Sequence, residues 1–270
     1  MSKTIFTPSD ISYMKNHYLD MSYEEIGQVL GFSERQIRGK INNLGLRKLR
    51  VFNSDYFSII DSETKAYFLG LIFGDGWVSI NPKTRNYEFG IQLISEDSYL
   101  LEELNAELGN VHSIFHKSAC ERIINGINSS IKESDVLRVY SKKLVTDLMS
   151  HGVVPNKSYI NSTPQIPLEF FYDFLRGLFD SDGCFYINKK NHSFFITEGT
   201  DEVLLYIKNT LELDEIKSSV YKENDNKFRL YVTNHEALFK LMPKIYHTNF
   251  NHCLKRKYRK VKDSLYGSAI

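Results

Sequence analysis

AYFLGLIFGDGWV, residues 66–78, and YDFLRGLFDSDGCFYI, residues 172–187, decide the fold of this 270-residue chain. Both follow one scheme: an aromatic residue, Leu, an apolar run with Gly, a small residue, Asp-Gly, then an aromatic strand start. The two Asp residues lie 107 positions apart, a spacing that marks duplicated domains rather than a short-period solenoid. Tyr67 to Phe73 is too rich in bulky apolar groups for a helix wet on one side, so burial on most sides is expected. Gly70 and Gly74 are four apart and share a helix face, as do Gly177 and Ser181 in the second copy. Small residues at that spacing let two helix backbones approach, so the two helices are expected to pack against each other. Asp75 and Asp182 fall at the C-terminal ends, followed by Gly76 and Gly183, which can end a helix. A carboxylate there faces the negative end of the helix dipole. Two of them brought together repel further and call for a cation. Hard oxygen ligands of this kind suit Mg²⁺, and the chemistry they point to is metal-assisted phosphodiester hydrolysis.

FLGLIFGDG (68–76) and LRGLFDSDG (175–183) resemble the two LAGLIDADG motifs of single-chain homing endonucleases. Each motif is followed by two strands, a Leu-rich helix, further strands and a final helix, so that the resemblance spans roughly residues 62–262. It implies an α+β fold of two pseudo-symmetric αββαββα repeats with saddle-shaped antiparallel sheets that lie in the DNA major groove. Expected strands are 77–80, 87–94, 112–116 and 136–140 in the first copy, and 184–189, 193–197, 218–222 and 228–232 in the second. By resemblance Asp75 and Asp182 bind the catalytic metals, with Gly74 and Ser181 in the same ligand set. A Lys stands near each scissile phosphate, for which Lys157 and Lys257 are the candidates, with Lys255 or Arg256 as substitutes for the latter. The implied activity is a double-strand cut with short 3′ overhangs, with Mg²⁺ as cofactor and Mn²⁺ able to replace it. Two departures stand out. The sixth motif position, commonly acidic, is Phe73 in the first copy but Asp180 in the second, and Arg176 stands where a small residue is common.

Ahead of this duplication, residues 1–48 parse into three short helices. Thr7 before Pro8 marks one start. Ser22 with Glu25 makes a capping box for the second, and Ser33 caps the third. Gly31 supplies a tight turn between the second and third, the layout of a helix-turn-helix. The third helix presents Arg35, Gln36, Arg38, Lys40 and Asn43, side chains able to pair with base edges or phosphates. The pattern resembles small DNA-binding helix-turn-helix modules. Residues 49–61 show no clean period and read as a linker with some packing through Val51, Phe52, Tyr56 and Ile59, with repeats expected over 62–162 and 163–270.

Formal net charge is only +1, against the basic surface usual for a nucleic-acid binder. The charge is unevenly placed: residues 1–50 carry eight basic against five acidic groups, and LKRKYRKVK (254–262) has six basic and no acidic ones. Along 88–93, Phe89, Ile91 and Leu93 alternate with Glu88, Gly90 and Gln92, leaving Glu88 and Gln92 for bases. Lys83, Arg85, Lys189, Lys190, His192 and Lys227 lie in or near hairpin loops where phosphates are met. The expected partner is double-stranded DNA with a long specific site, bound by a monomer with internal pseudo-twofold symmetry. No run is long and apolar enough to span a membrane. No secretion signal is seen, and the three scattered cysteines suggest reduced thiols, which together point to a cytoplasmic protein. His112, His116 and Cys120 lack a fourth partner for zinc. A catalytically silent DNA-binding regulator and an RNA-splicing maturase are the alternative readings of the same fold.

Overall fold

A computed structural model of the chain describes residues 5–46, 52–124, 127–157, 160, 162–188, 191–248 and 250–266. It divides into two compact units, Met1–Val51 and Phe52–Ile270.

The first unit holds α1 (Pro8–His17), α2 (Tyr23–Leu30) and α3 (Glu34–Asn43). Each begins with a reciprocal capping box: Thr7 with Asp10, Ser22 with Glu25 and Ser33 with Gln36. Each box satisfies backbone N–H groups that a helix start would otherwise leave open. Between α2 and α3, Gly31 adopts φ +75°, a conformation that favours glycine. Met14, Ile26, Phe32, Ile37 and Ile41 form the small core.

The second unit opens with residues 52–61, where the sequence reading places a linker. Tyr56 and Phe52 pack on the main core as that reading expects, but Phe57 and Ile60 are buried there too while Ile59 is exposed. Val51 lies outside the described residues. The aromatic content of this segment is its packing face, and it has no clean period because it is not one regular element. Then come α4 (Glu63–Asp75), β1 (Gly76–Asn81), β2 (Asn86–Ile94), α5 (Tyr99–Glu107), β3 (Ile114–Lys117), β4 (Cys120–Ile124), β5 (Ile127–Ile131), β6 (Ser134–Tyr140) and α6 (Lys142–Ser150). The second copy follows with α7 (Phe171–Asp182), β7 (Gly183–Asn188), β8 (Asn191–Glu198), α8 (Glu202–Leu213), β9 (Ser219–Asn224), β10 (Lys227–Val232) and α9 (His235–Ile245), and α10 (Lys255–Tyr266) closes the described chain.

The two four-stranded antiparallel sheets have matching orders, β1-β2-β6-β3 and β7-β8-β10-β9. Their registers correspond, Gly76 pairing with Ile91 and Gly183 with Ile196. The α+β duplication expected from the motifs is therefore present strand for strand. The first copy carries one addition absent from the sequence reading, the two-stranded β4-β5 hairpin between β3 and β6. Its CERII and INSSI runs are short and polar enough to pass for loop. One face of each sheet is apolar, with Phe89, Ile91 and Leu93 in one and Phe194, Ile196, Leu230 and Val232 in the other all buried.

At the centre of the unit α4 lies against α7, and almost every side chain of both motifs is buried. The crossing depends on absent side chains. A methyl group on Gly70 would overlap the Phe174 carbonyl, one on Gly177 the Tyr67 carbonyl, and one on Gly74 the Ser181 side chain. Main-chain carbonyls cannot move aside as a flexible side chain can, so this backbone approach is available only to glycine. Gly76 and Gly183 do something other than expected. Both have extended backbone, with φ −86° and −90°, so neither ends its helix in a left-handed turn. Their role is steric: a Cβ on either would strike the preceding helical turn, at Ile72 or Phe179.

Candidate active site

Asp75 and Asp182 are the last helical residues of α4 and α7, and the helix crossing brings them to one end of the seam. A Cβ built on Gly74, next to Asp75, would lie 2.5 Å from Asp182 Oδ2. Burial pushes the Asp75 carboxyl up to about 6, and the neighbouring Asp182 charge adds to the rise, while Lys157, Lys257 and Arg256 oppose it. Asp182 is also raised by burial, with Lys157 and Lys257 pulling it back. Asp75 is exposed and Asp182 half-buried at this end of the seam, and two like charges brought together at helix C-termini repel unless cations answer them.

Two cations from the chain do so. Lys157, in the turn after α6, donates from Nζ to the carbonyl oxygens of Phe73 and Gly74 at the end of α4. Lys257, in the first turn of α10, donates to the carbonyls of Phe179 (2.7 Å), Asp180 (2.7 Å) and Gly183 (2.6 Å) at the end of α7. Each lysine thus closes the unsatisfied carbonyl end of its own copy's motif helix. Burial lowers the pKa of both, and the surrounding carboxylates oppose that drop. The two substitutes weighed for Lys257 point elsewhere: Lys255 lies 4.2 Å over the Tyr99 ring, and Arg256 pairs with Asp97 at 3.0 Å. The Gly74 and Ser181 carbonyls both accept from these lysines, and the Ser181 hydroxyl donates to the Gly177 and Leu178 carbonyls of its own helix.

Arg176 does not disturb the seam. It is buried at 1 % exposure and turns toward the segment after α9, donating to the Ile245 and His252 carbonyls and to Asp173. Its guanidinium also lies over the Tyr67 and Phe250 rings. Asp180 is buried beside it and accepts from Tyr67 Oη (3.0 Å) and the Leu254 amide (2.7 Å). Burial raises the Asp180 carboxyl to about 6.

One residue absent from the sequence reading joins the site. Glu198, at the end of β8, lines a cleft of about 310 Å³ with Gly74, Lys157 and Asp182. Burial and the Asp182 charge push its carboxyl up to about 8, against the pull of Lys157. The signal was present in the alternation of β8: Phe194 and Ile196 point inward, and Glu198 is the next position on that face.

The residues expected to meet DNA are placed as follows. On α3, Arg35, Arg38 and Asn43 are exposed, while Gln36 and Lys40 are half-buried. Arg38 pairs with Glu34, Gln36 accepts from the Ser33 amide, and Lys40 lies over the Phe6 ring. Lys83 and Arg85 are exposed in the turn between β1 and β2. Glu88 faces Arg138 at 3.7 Å, and Gln92 accepts from Lys117 and donates to Ser134. Lys227 pairs with Glu223 and lines the Glu198 cleft, and His192 stacks near Phe185. Lys189 and Lys190 lie outside the described residues. Arg138 and Arg229 are basic groups on the sheets that the sequence reading missed. Arg229 bonds Thr197 and pairs with Glu223. Nothing in a single strand's alternation sets such arginines apart from solvated ones.

His116 bonds Asp135 at 3.0 Å, His112 sits edge-on to Phe52, and Cys120 is exposed. Among the described residues, Glu63, Asp173 and His247 bring metal-type ligand atoms together. Asp173 Oδ1 there is already held by Arg176 and His247, which makes it an ion-paired cluster. The seam suits a metal better. Asp75, Asp182 and Glu198 offer only hard oxygens, and Glu198 Oε1 is buried without a hydrogen-bond partner. That donor set fits a divalent cation of the Mg²⁺, Mn²⁺ or Ca²⁺ kind. Among the described residues no helix is long and apolar enough to cross a membrane.

Comparison with known proteins agrees with this geometry. Residues 171–246 match the LAGLIDADG-like domain family. An uncharacterised protein of Methanocaldococcus jannaschii is 27% identical over 196 residues, covering 70% of each chain. A probable translation initiation factor IF-2 of the same organism is 30% identical over 174 residues, which are 60% of this chain but 13% of that protein. The LAGLIDADG meganuclease I-AabMI, solved bound to uncleaved DNA, superposes with a TM-score of 0.50 at 16% identity, covering 73% of this chain and 87% of its own. The chain therefore carries a LAGLIDADG-like domain at residues 171–246, and its duplicated unit has the fold seen in the LAGLIDADG meganuclease I-AabMI.

Proposed function

We propose that this chain is a site-specific double-strand DNA endonuclease that hydrolyses phosphodiesters with divalent cations, Mg²⁺ in the first instance with Mn²⁺ as a substitute, and leaves short 3′ overhangs. One observation carries the reading: two carboxylates with raised pKa, one from each copy, share the solvent-reaching end of a helical seam that is backed by one lysine per copy. Perturbed carboxylates in a cleft are where acid–base and metal chemistry concentrate.

Asp75 and Asp182 would hold the cation, which when bound supplies charge to the phosphate and lowers the pKa of water. The residues do the rest. Both carboxylates must be ionised to hold a cation, so protons compete with it and cation affinity falls as pH drops toward the raised Asp75 pKa of about 6. Lys157 and Lys257 keep a positive charge at each helix end, beside the place where negative charge would develop on the departing oxygen. One such set per copy matches one set to each strand of a duplex.

The first unit is the second part of the proposal. α3 offers exposed Arg35, Arg38 and Asn43, and we assign it to DNA contact, with the β-sheets reading a long target site. A cytoplasmic monomer with internal pseudo-twofold symmetry is the corresponding form. Loss of Arg35 and Arg38 together should lower DNA affinity and reduce the slope of log K against log salt by about 2, roughly one per phosphate contact. An unchanged slope would remove α3 from the interface.

The test is selection from a randomised duplex library incubated with the full chain and Mg²⁺, with EDTA as control. Enrichment of one cleaved sequence with 3′ overhangs is the expected result. Selective binding without cleavage would identify a silent regulator, and selection of structured RNA alone would identify a maturase.

A further inference from the structure

The two copies agree in strand order and register, yet they differ at one position that lies beside the carboxylate seam. Gly183 pairs with Ile196 and Gly76 with Ile91, so the residues two places further along are Glu198 and Leu93. Leu93 is a buried apolar group with 5 % exposure. Glu198 places a carboxylate in the equivalent position, in the same cleft as Asp182 and Lys157.

Three facts separate Glu198 from an ordinary structural glutamate. Its Oε1 is closed to solvent and receives no hydrogen bond. The nearby Lys157 Nζ gives its hydrogen bonds to the Phe73 and Gly74 carbonyls instead. The cleft also holds Asp182, a second carboxylate, so two like charges face one cavity with Lys157 as its buried-side cation. An unanswered buried carboxylate oxygen is costly, and natural proteins keep one chiefly where a ligand completes it.

We propose that Glu198 is a second carboxylate of the cation site beside Asp182, present in one copy only, so that the cleft bounded by Asp182, Lys157 and Glu198 takes its divalent cation more tightly than its counterpart in the first copy. This rests on the metal-dependent reading above. Asp182 and Glu198 give this cleft the two carboxylates that Mg²⁺ commonly takes from protein, and affinity rises with ligand charge. Leu93 adds none, so the first copy's site must draw more of its ligands from water and DNA phosphate. The two halves of the nuclease would then fill at different cation concentrations, and one DNA strand would be cut first when the cation is scarce.

The experiment is Mn²⁺ titration of the full chain without DNA, following free Mn²⁺ by electron paramagnetic resonance, for wild type, Glu198→Gln, Asp182→Asn and Asp75→Asn. Wild type should show two classes of site. Glu198→Gln should weaken the tighter class tenfold or more and leave the weaker class in place, and Asp182→Asn should remove the tighter class. A Glu198→Gln curve that superimposes on wild type, with Asp182→Asn still weakened, would overturn this proposal and leave the metal-dependent reading standing. Identical curves for all four proteins would overturn both. Melting in EDTA gives a second readout. Glu198→Gln should melt at or above wild type, because it removes a charge beside Asp182, whereas melting well below wild type would make Glu198 a structural group and also overturn the proposal.

Discussion

The two copies of the repeat share a backbone and differ in what they bury. At matching motif positions the first copy has Ala66, Leu69 and Phe73, all buried and apolar, where the second has Asp173, Arg176 and Asp180, equally buried. The first copy's lysine arises from a short turn after α6, and Gly152 in that turn packs 3.2 Å from the Phe73 ring once a Cβ is allowed for. The second copy's lysine sits on α10, a separate helix whose approach is pinned by the buried charges. Arg176 takes the Ile245 and His252 carbonyls and Asp180 takes the Leu254 amide. The same placement of a lysine at the motif helix end is thus reached by apolar packing in one half and by a buried polar network in the other. Fold symmetry does not require symmetry of the forces that hold the fold.

Breaking the comparison at its strongest point means removing one carboxylate at a time. Asp75→Asn and Asp182→Asn should each lower double-strand cleavage by at least about 100-fold while DNA binding persists, the scale expected for losing a group that meets transition-state charge. Resolving nicked from linear plasmid checks it. Because Asp182 has Glu198 beside it and Asp75 has no such neighbour in its own sheet, residual nicking should differ between the two variants, and identical residual patterns would argue that the halves are equivalent.

The buried charges themselves come next. Arg176→Leu leaves Asp173 with His247 as its remaining partner, strands two carbonyls and should cost about 3–5 kcal/mol in denaturant unfolding, and Asp173→Asn/Arg176→Leu should recover part of it. Leu69→Ala, at the matching position, should cost about 2–5 kcal/mol through a cavity, with no rescue available from a neighbouring charge change. A negligible loss for Arg176→Leu would mean that the network is incidental to the placing of α10.

Gly70→Ala and Gly177→Ala sharpen the comparison from the other side, because here the halves are alike. Each adds a methyl against a main-chain carbonyl of the opposite helix. Both should destabilise by a similar amount, on the order of 1–3 kcal/mol or more, as over-packing does. A tolerated change in one copy alone would show that the seam is looser on that side.

The smallest effect is a pH dependence of the cation-free protein. In the folded chain Asp75 titrates near 6 rather than at the usual 3.8. Between those values the folded state holds a proton that the unfolded state has lost. This group's contribution to stability therefore falls as pH rises from about 4 to about 6, and stays lost above that. Asp75→Asn should then stabilise the EDTA-treated chain at pH 8 and change it little at pH 4, a small gain because solvent screens the exposed Asp75 side chain. An effect of the opposite sign would mean that Lys157 and Lys257 more than compensate the Asp75 charge.

These contrasts also explain what could be read from sequence. The helix seam, both Asp residues and the two sheets were legible because each rests on a local rule: small residues four apart, Asp-Gly at a helix end, alternation along a strand. The three N-terminal helices were legible for the same reason, through Thr7, Ser22 and Ser33. Glu198 escaped because its counterpart is Leu93, so comparing the copies predicts an apolar residue there. The role of Arg176 escaped because its partners, the Ile245 and His252 carbonyls, are main-chain atoms some seventy residues away, and no side-chain pattern advertises a carbonyl. The β4-β5 hairpin has no equivalent in the second copy to point it out, and the burial of Phe57 and Ile60 comes from tertiary contact rather than from any period of their own.

The central claim is that Asp75 and Asp182 jointly hold divalent cations at the end of the α4–α7 seam. Anomalous diffraction from crystals of the full chain, bound to its selected duplex in Mn²⁺, tests this most directly. The account predicts manganese peaks within about 2.4 Å of carboxylate oxygens of both Asp75 and Asp182. Manganese located only elsewhere, such as at Glu63, Asp173 and His247, with both seam carboxylates unliganded, would contradict it.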